Sequence, residues 1–173
     1  MNACKHYFSC LVFIAFFTSA KATPTDSVTV YIFLSETCPI CQTATQELKN
    51  IYNQYHPKGI EFIGLFPNVE MSDDASVSKF GKKYNLPFPL KVDEGQQKVK
   101  QFSAVVTPQV FVVRNADGQI IYNGRIDNGF ERVGKKRQVT TEFYLKNALD
   151  EILSNRPVTV KETSPVGCFI NKK

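Results

Sequence analysis

Val28-Thr29-Val30-Tyr31-Ile32-Phe33-Leu34, followed by Ser35-Glu36-Thr37 and then Cys38-Pro39-Ile40-Cys41, is the stretch on which the reading of this chain turns. Its first seven residues are almost continuously apolar and β-branched, the pattern of a strand covered on both faces and therefore central in a sheet. From Cys41 onward Ala44, Leu48, Ile51, Tyr52 and Tyr55 recur at helical spacing until the breaker cluster His56-Pro57-Lys58-Gly59. Ile60 to Phe66 is a second apolar run. Strand, helix and strand in that order form a βαβ unit with a right-handed crossover. The two cysteines then stand at the carboxyl edge of the first strand, where chemistry collects in open α/β sheets.

Two cysteines separated by two residues can close a disulfide within one helical turn. The first sulfur lies over the unpaired N–H groups and positive dipole end of the helix, which favours its thiolate. Such a thiol is both a better nucleophile near neutral pH and a better leaving group, so the Cys38-Cys41 pair can exchange electrons with a partner's disulfide. Such a pair has three other uses. A structural zinc site needs four ligands, and beyond the pair and the leader the chain offers Cys168 and His56 with no second C-x-x-C. Covalent haem attachment wants His after the second cysteine, and position 42 is Gln. A permanently closed structural disulfide is the remaining alternative in an exported chain.

Export is read from residues 1–22. Lys5 and His6 precede the apolar stretch Tyr7 to Phe17, and Ala20-Lys21-Ala22 offers small residues flanking a cut. The stretch is short for a bilayer span, so a cleaved signal peptide is expected, with the mature chain starting near Thr23, or earlier if Thr18-Ser19-Ala20 is processed. An uncleaved anchor is the alternative. Cys4 and Cys10 belong to the leader, and Tyr7-Phe8-Ser9 does not make a lipobox for Cys10. The full chain carries 21 Lys and Arg against 16 Asp and Glu, a net charge of +5 that becomes +3 without Lys5 and Lys21. The basic residues are dispersed and not interleaved with aromatics, which argues against a nucleic-acid partner. Residues 23–156 are read as one domain and 157–173 as a C-terminal tail. No membrane contact is expected beyond the leader, and the localisation expected is periplasmic or extracellular.

Further along, Ser72-Asp73-Asp74 reads as a helix start with Ser72 as cap and Val77, Phe80 and Tyr84 as the apolar stripe. Leu86 to Val92 holds two prolines and is read as an edge element. A short helix over Gln96 to Phe102 follows. Val105-Val106-Thr107-Pro108 leads into a hairpin of Gln109 to Arg114 and Gln119 to Asn123 around an Asp117-Gly118 turn. A last helix from about Thr140 to Ser154 is expected to bury Phe143, Leu145, Ala148, Leu149 and Ile152.

This ordering, C-P-I-C after a hydrophobic strand, and Thr107-Pro108 before a hairpin together resemble the thioredoxin-like superfamily. The segment inserted before Thr107 brings the chain closer to its redoxin branch, the alkyl hydroperoxide reductase/thiol-specific antioxidant and cytochrome-maturation thioredoxin-like proteins. Thr107-Pro108-Gln109-Val110-Phe111, Tyr122-Asn123-Gly124-Arg125-Ile126-Asp127 and the ending Pro157-Val158 to Val166-Gly167-Cys168 look like exported bacterial redoxin-domain proteins. The resemblance implies an α/β fold with a central mixed sheet flanked by helices, and a helix-strand insertion between the βαβ and ββα halves. It implies a cis Pro108 facing the dithiol, with the Thr107 backbone as an edge for an extended substrate. Thr107, Pro108 and Pro39 are the substrate contacts expected.

Departures from the family's patterns shape the functional reading. Peroxiredoxins place Ser or Thr three residues before the reactive cysteine, as Ser35 stands to Cys38, but their proline four residues earlier is Tyr31 here. In a peroxidase the sulfenic acid on Cys38 would be resolved by Cys41 or Cys168. Thioredoxins carry a buried acid at the position of Ile32 and tryptophan at that of Thr37, which leaves Glu36 as the candidate proton relay. The expectation is therefore an exported thiol-disulfide oxidoreductase. It would use no cofactor beyond the Cys38-Cys41 disulfide, act on exported protein thiols and disulfides, and be recharged by a second redox protein. Peroxide is the alternative substrate, and a non-catalytic binding module the alternative class. Gly124-Arg125 and Gly134-Lys135 do not form a phosphate turn for a nicotinamide or flavin. The basic segment Arg125 to Arg137 is a solvated loop or a surface for an acidic partner. Cys168 is left open among reaching the dithiol, pairing with another chain and staying free.

Overall fold

The computed structural model describes residues 27–172, so the leader expected over 1–22 lies outside the described residues. In chain order the elements are β1 (Val28–Phe33), α1 (Pro39–Tyr55), β2 (Glu61–Phe66), α2 (Asp74–Tyr84), β3 (Leu90–Val92), α3 (Gln97–Phe102), β4 (Val106–Thr107), β5 (Gln109–Arg114), β6 (Ile120–Gly124), β7 (Phe130–Arg132), β8 (Lys135–Lys136), α4 (Tyr144–Leu153) and β9 (Cys168–Phe169). The main sheet runs β3-β2-β1-β5-β6. β1 pairs in parallel with β2 and β2 with β3, while β5 is antiparallel to both β1 and β6. This is the mixed sheet expected, with α2, β3 and α3 inserted between its two halves.

β1 is central because both of its faces are apolar. Val28, Val30 and Ile32 join one core with Leu48, Ile51 and Phe62, and with Leu145 and Leu149 of α4. Phe33 joins Leu65, Val99, Phe102, Phe111 and Val113 in a second cluster. With β1 fixed from both sides, the loop leaving its carboxyl end and the start of α1 have a rigid footing.

Three local readings are corrected. The cap of α2 is Asp73 and not Ser72: the Asp73 carboxylate accepts the Ser76 amide at 2.7 Å and the Ser76 hydroxyl returns to the Asp73 amide at 3.0 Å. A carboxylate is the stronger acceptor at a helix N-terminus, and the Ser72 hydroxyl is spent on Glu36. α4 starts at Tyr144, four residues late, because the Asn128 side-chain oxygen takes the amides of Thr141 and Glu142. Phe143 consequently sits outside the helix, 38% exposed, instead of in the core. The segment Arg125 to Arg137 is not simply a loop, since it holds the β7-β8 hairpin, in which Glu131 pairs with Lys135 at 2.6 Å and Arg137 at 3.5 Å.

Candidate active site

Cys38 is the N-cap of α1 and Pro39 its first residue, where a missing N–H costs nothing and the fixed φ suits the helix. The sulfur therefore stands at the helix N-terminus, 1% exposed, with Cys41 one turn on at 0%. The Thr107-Pro108 bond is cis. The Thr107 carbonyl lies 3.2 Å from the Cys38 sulfur, which donates to it when protonated. The structure thus brings Cys38, Cys41, Pro39, Thr107 and Pro108 together, from elements far apart in the chain.

A further participant comes from the tail. β9 pairs antiparallel with β4, setting Cys168 opposite Thr107. The Cys168 sulfur lies 2.7 Å from that of Cys38 and donates to it. Ionised, Cys38 accepts S–H bonds from Cys41, the larger contribution, and from Cys168; against the opposing effect of burial these bring it from 9.0 down to about 5. Cys41 moves the other way, well above the ordinary thiol value, because it is buried and faces the Cys38 sulfur. The Ser35 amide and Thr107 hydroxyl oppose that rise. The Thr107 hydroxyl is buried and has no other partner. Cys168 is pushed up to about 12 by burial and then by Cys38. The three sulfurs thus divide into one anion and two proton holders.

Glu36, considered as a proton relay, has both carboxylate oxygens engaged, by Ser72 at 2.8 Å and Ser76 at 2.9 Å. Its backbone carbonyl accepts from Gln42 at 2.7 Å. It ties the dithiol loop to the start of α2. The Ser35 hydroxyl is buried against that of Thr37 at 3.3 Å. His56 lies at the opposite end of α1 from Cys38, stacked on Tyr52. Beside the dithiol, Ile40, Pro108, Ile126, Phe130, Phe143 and Val166 line a cleft of about 260 Å³, with Arg125, Lys136, Asp127 and Glu47 at its polar margin. Part of the basic segment therefore borders the site, mixed with acids.

Sequence reasoning left the place of Cys168 open and missed the cleft. The one available signal was Gly167 beside it: a Cβ there would collide with the Thr107 carbonyl, so glycine marks a close backbone approach.

Comparison with known proteins agrees with this fold. A family model described as Redoxin matches residues 16–136. The thiol-disulfide oxidoreductase ResA of Bacillus thuringiensis subsp. konkukian is 28% identical over 109 residues, 63% of this chain and 56% of that protein. A putative chloroplastic peroxiredoxin Q of Oryza sativa subsp. indica is 31% identical over 106 residues, 57% of this chain and 47% of that one. The chain thus spans about half the length of the curated relatives it matches. Among solved structures, an uncharacterized conserved protein from Geobacillus kaustophilus superposes with a TM-score of 0.74 at 31% identity, over 86% of this chain and 78% of that one. StoA from Bacillus subtilis shares the fold at a TM-score of 0.50 and 18% identity, over 57% and 72%.

Proposed function

Since this chain belongs to the Redoxin family, we propose that it is an exported thiol-disulfide oxidoreductase that exchanges disulfides with partner proteins through Cys38 and Cys41. The observation that carries the reading is the division of the sulfurs. Cys38 is held as an anion at a helix N-terminus, and Cys41 is held as a buried thiol in contact with it. The names of the ResA relatives support the same reaction type. In the cycle, the Cys38 thiolate attacks a partner's disulfide and one partner sulfur leaves with the electron pair. Cys41 then loses its proton, attacks Cys38 and releases the second partner sulfur, leaving the Cys38-Cys41 disulfide. The Thr107 hydroxyl is placed to donate to Cys41 at the moment it carries charge. A second redox protein returns two electrons to the pair.

The test is reduction of insulin disulfides by dithiothreitol, with the wild type and with Cys38→Ser and Cys41→Ser. Acceleration by the wild type and its loss in both variants is expected; a wild type without effect refutes the exchange reading. The peroxiredoxin Q relative favours a second reading, peroxide reduction at Cys38. Peroxide consumption that persists in Cys41→Ser selects it. Export is tested by expressing the full chain in a bacterium, fractionating the cells and sequencing the mature N-terminus, expected near Thr23. Recovery of the intact chain in the cytoplasm refutes export.

A further inference from the structure

The chain's last residues enter the dithiol site as a strand that is anchored on both sides of Cys168. Downstream, the Ile170 amide donates to the Val105 carbonyl at 3.0 Å. The Ile170 side chain is buried in the cluster of Phe33, Phe102 and Phe111. Upstream, the Thr163 amide donates to the Asn123 carbonyl at 3.1 Å, and its hydroxyl meets Tyr122 and the Arg125 amide, each at 2.9 Å. Two glycines permit this course. Gly124 has φ +136° and a Cβ on it would strike Thr163, while a Cβ on Gly167 would strike the Thr107 carbonyl. Between these anchors, β9 uses the backbone edge of Thr107 and sets a sulfur 2.7 Å from Cys38. That is the place the proposed exchange cycle assigns to a partner's cysteine.

We propose that Gly167-Cys168-Phe169 is a tethered substrate of the dithiol, and that Cys168 forms an internal disulfide with Cys38 which interconverts with the Cys38-Cys41 disulfide. The proposal deepens the exchange reading and rests on it. In the interconversion the Cys41 thiolate attacks Cys38. The Cys38-Cys41 bond forms, the Cys38-Cys168 bond breaks, and its electron pair goes to Cys168, which takes up the proton that Cys41 lost to solvent. The reverse step is the mirror of this, and neither direction needs an oxidant or reductant. The first disulfide comes from the partner: a small disulfide such as oxidised glutathione transfers one half to Cys38, and Cys168 then displaces that half as a thiol. Tethering gives Cys168 a local concentration of millimolar or more, so it outcompetes dilute thiols. A protein partner reaches Thr107 only after the tail has left, which makes the tail a competitor for large substrates.

The experiment uses the full chain as Cys41→Ser, reduced, freed of reductant and exposed to oxidised glutathione. The reaction is quenched with acid, remaining thiols are alkylated and the peptides are mapped by mass spectrometry. The expected product links the Cys38 and Cys168 peptides with no glutathionyl group retained. Cys41→Ser/Cys168→Ser, in contrast, is expected to keep glutathione on Cys38. If Cys41→Ser also keeps glutathione on Cys38 with Cys168 free, the tethered-substrate proposal is overturned and the exchange reading stands. If the double variant acquires no glutathione, the exchange reading falls and this proposal falls with it. Gly167→Val in the Cys41→Ser background retains both sulfurs and disturbs the docking, and is expected to slow the internal link by roughly tenfold or more. An unchanged rate would refute delivery of Cys168 by strand pairing.

Discussion

Replacing Cys41 by alanine removes the largest influence holding Cys38 ionised, and the consequence is calculable. An S–H bond to a thiolate is charge-assisted, and hydrogen bonds to charged groups are worth about 1.5–3 kcal/mol. At 1.36 kcal/mol per pKa unit, the Cys38 value should rise from about 5 to about 6–7 in Cys41→Ala. The Cys168 donor remains and keeps it below an ordinary thiol. The assay is the rate of iodoacetamide alkylation at Cys38 against pH, on protein held reduced with a phosphine and read by peptide mass spectrometry. The wild-type rate should be half-maximal near pH 5 and level above it, with the whole profile displaced upward in the variant. A wild-type midpoint near 9.0, or an unmoved midpoint in Cys41→Ala, refutes the reasoning. The same groups set a stability profile for the reduced form. The folded pKa of Cys38 is depressed, so its contribution is complete above the unfolded value of 9.0 and is lost as pH falls toward about 5. At pH 7 about 2–3 kcal/mol of it remains. Cys168 is raised, so its contribution is complete below 9.0 and is lost as pH rises toward about 12. Reduced protein is therefore expected to lose stability to urea as pH drops from 9 to 5, through a contribution the Cys38-Cys41 disulfide form lacks.

The other predictions concern the supports of the site. Thr107→Val keeps the strand pairing and removes the hydroxyl that donates to Cys41 as it ionises; one hydrogen bond to a charged group, about 1.5–3 kcal/mol, makes release of the partner from Cys38 roughly 10- to 150-fold slower in stopped-flow single turnovers. An unaltered rate would deny the hydroxyl a part. Glu36→Ala cuts the bonds to Ser72 and Ser76 and should cost about 1–3 kcal/mol in urea unfolding; a pH-rate profile unchanged in shape would mark Glu36 as an anchor and not a proton carrier. Ile170→Asp removes an apolar anchor worth about 1.5–3 kcal/mol, so opening of the tail should rise roughly 10- to 100-fold. Cys38, 1% exposed in the docked form, should then react faster with a polymer-linked maleimide, and equal rates would show that the tail does not shield it.

The half of the site that was legible in the sequence depends on local pattern. A strand apolar on both faces has to be central, and a helix that starts six residues after its end carries Cys38 at its N-cap, so the place of the dithiol follows from spacing alone. The hairpin of β5 and β6 likewise announces itself through Asp117-Gly118. The misread positions are those where a distant group won a local contest. Ser72 is a good cap by type, but Glu36, 36 residues earlier, claims its hydroxyl. Thr140 to Phe143 suits a helix, but Asn128 takes the amides that would start it. Neither competitor lies within the window a periodicity argument inspects.

The tail is the extreme case. Pro157 to Gly167 has no apolar period, and Cys168 is 130 residues from the sulfur it meets. Its docking is instead a sum of dispersed fits: Thr163 against Gly124, Gly167 against Thr107, Ile170 in the cluster beside α3. The Redoxin match ends at residue 136, so the tail's side of each fit lies beyond the matched residues. Phe169 is 82% exposed between the buried Ile170 and the half-buried Cys168. A strand whose alternate side chains face the site and solvent engages its partner chiefly through the backbone. A partner segment competing for the Thr107 edge therefore needs an extended course and a small residue ahead of its cysteine more than any particular side chain. A peptide with Gly before its cysteine should be reduced faster than the same peptide with Val there. Equal rates for the two would mean that partners approach Cys38 by a route the tail does not trace.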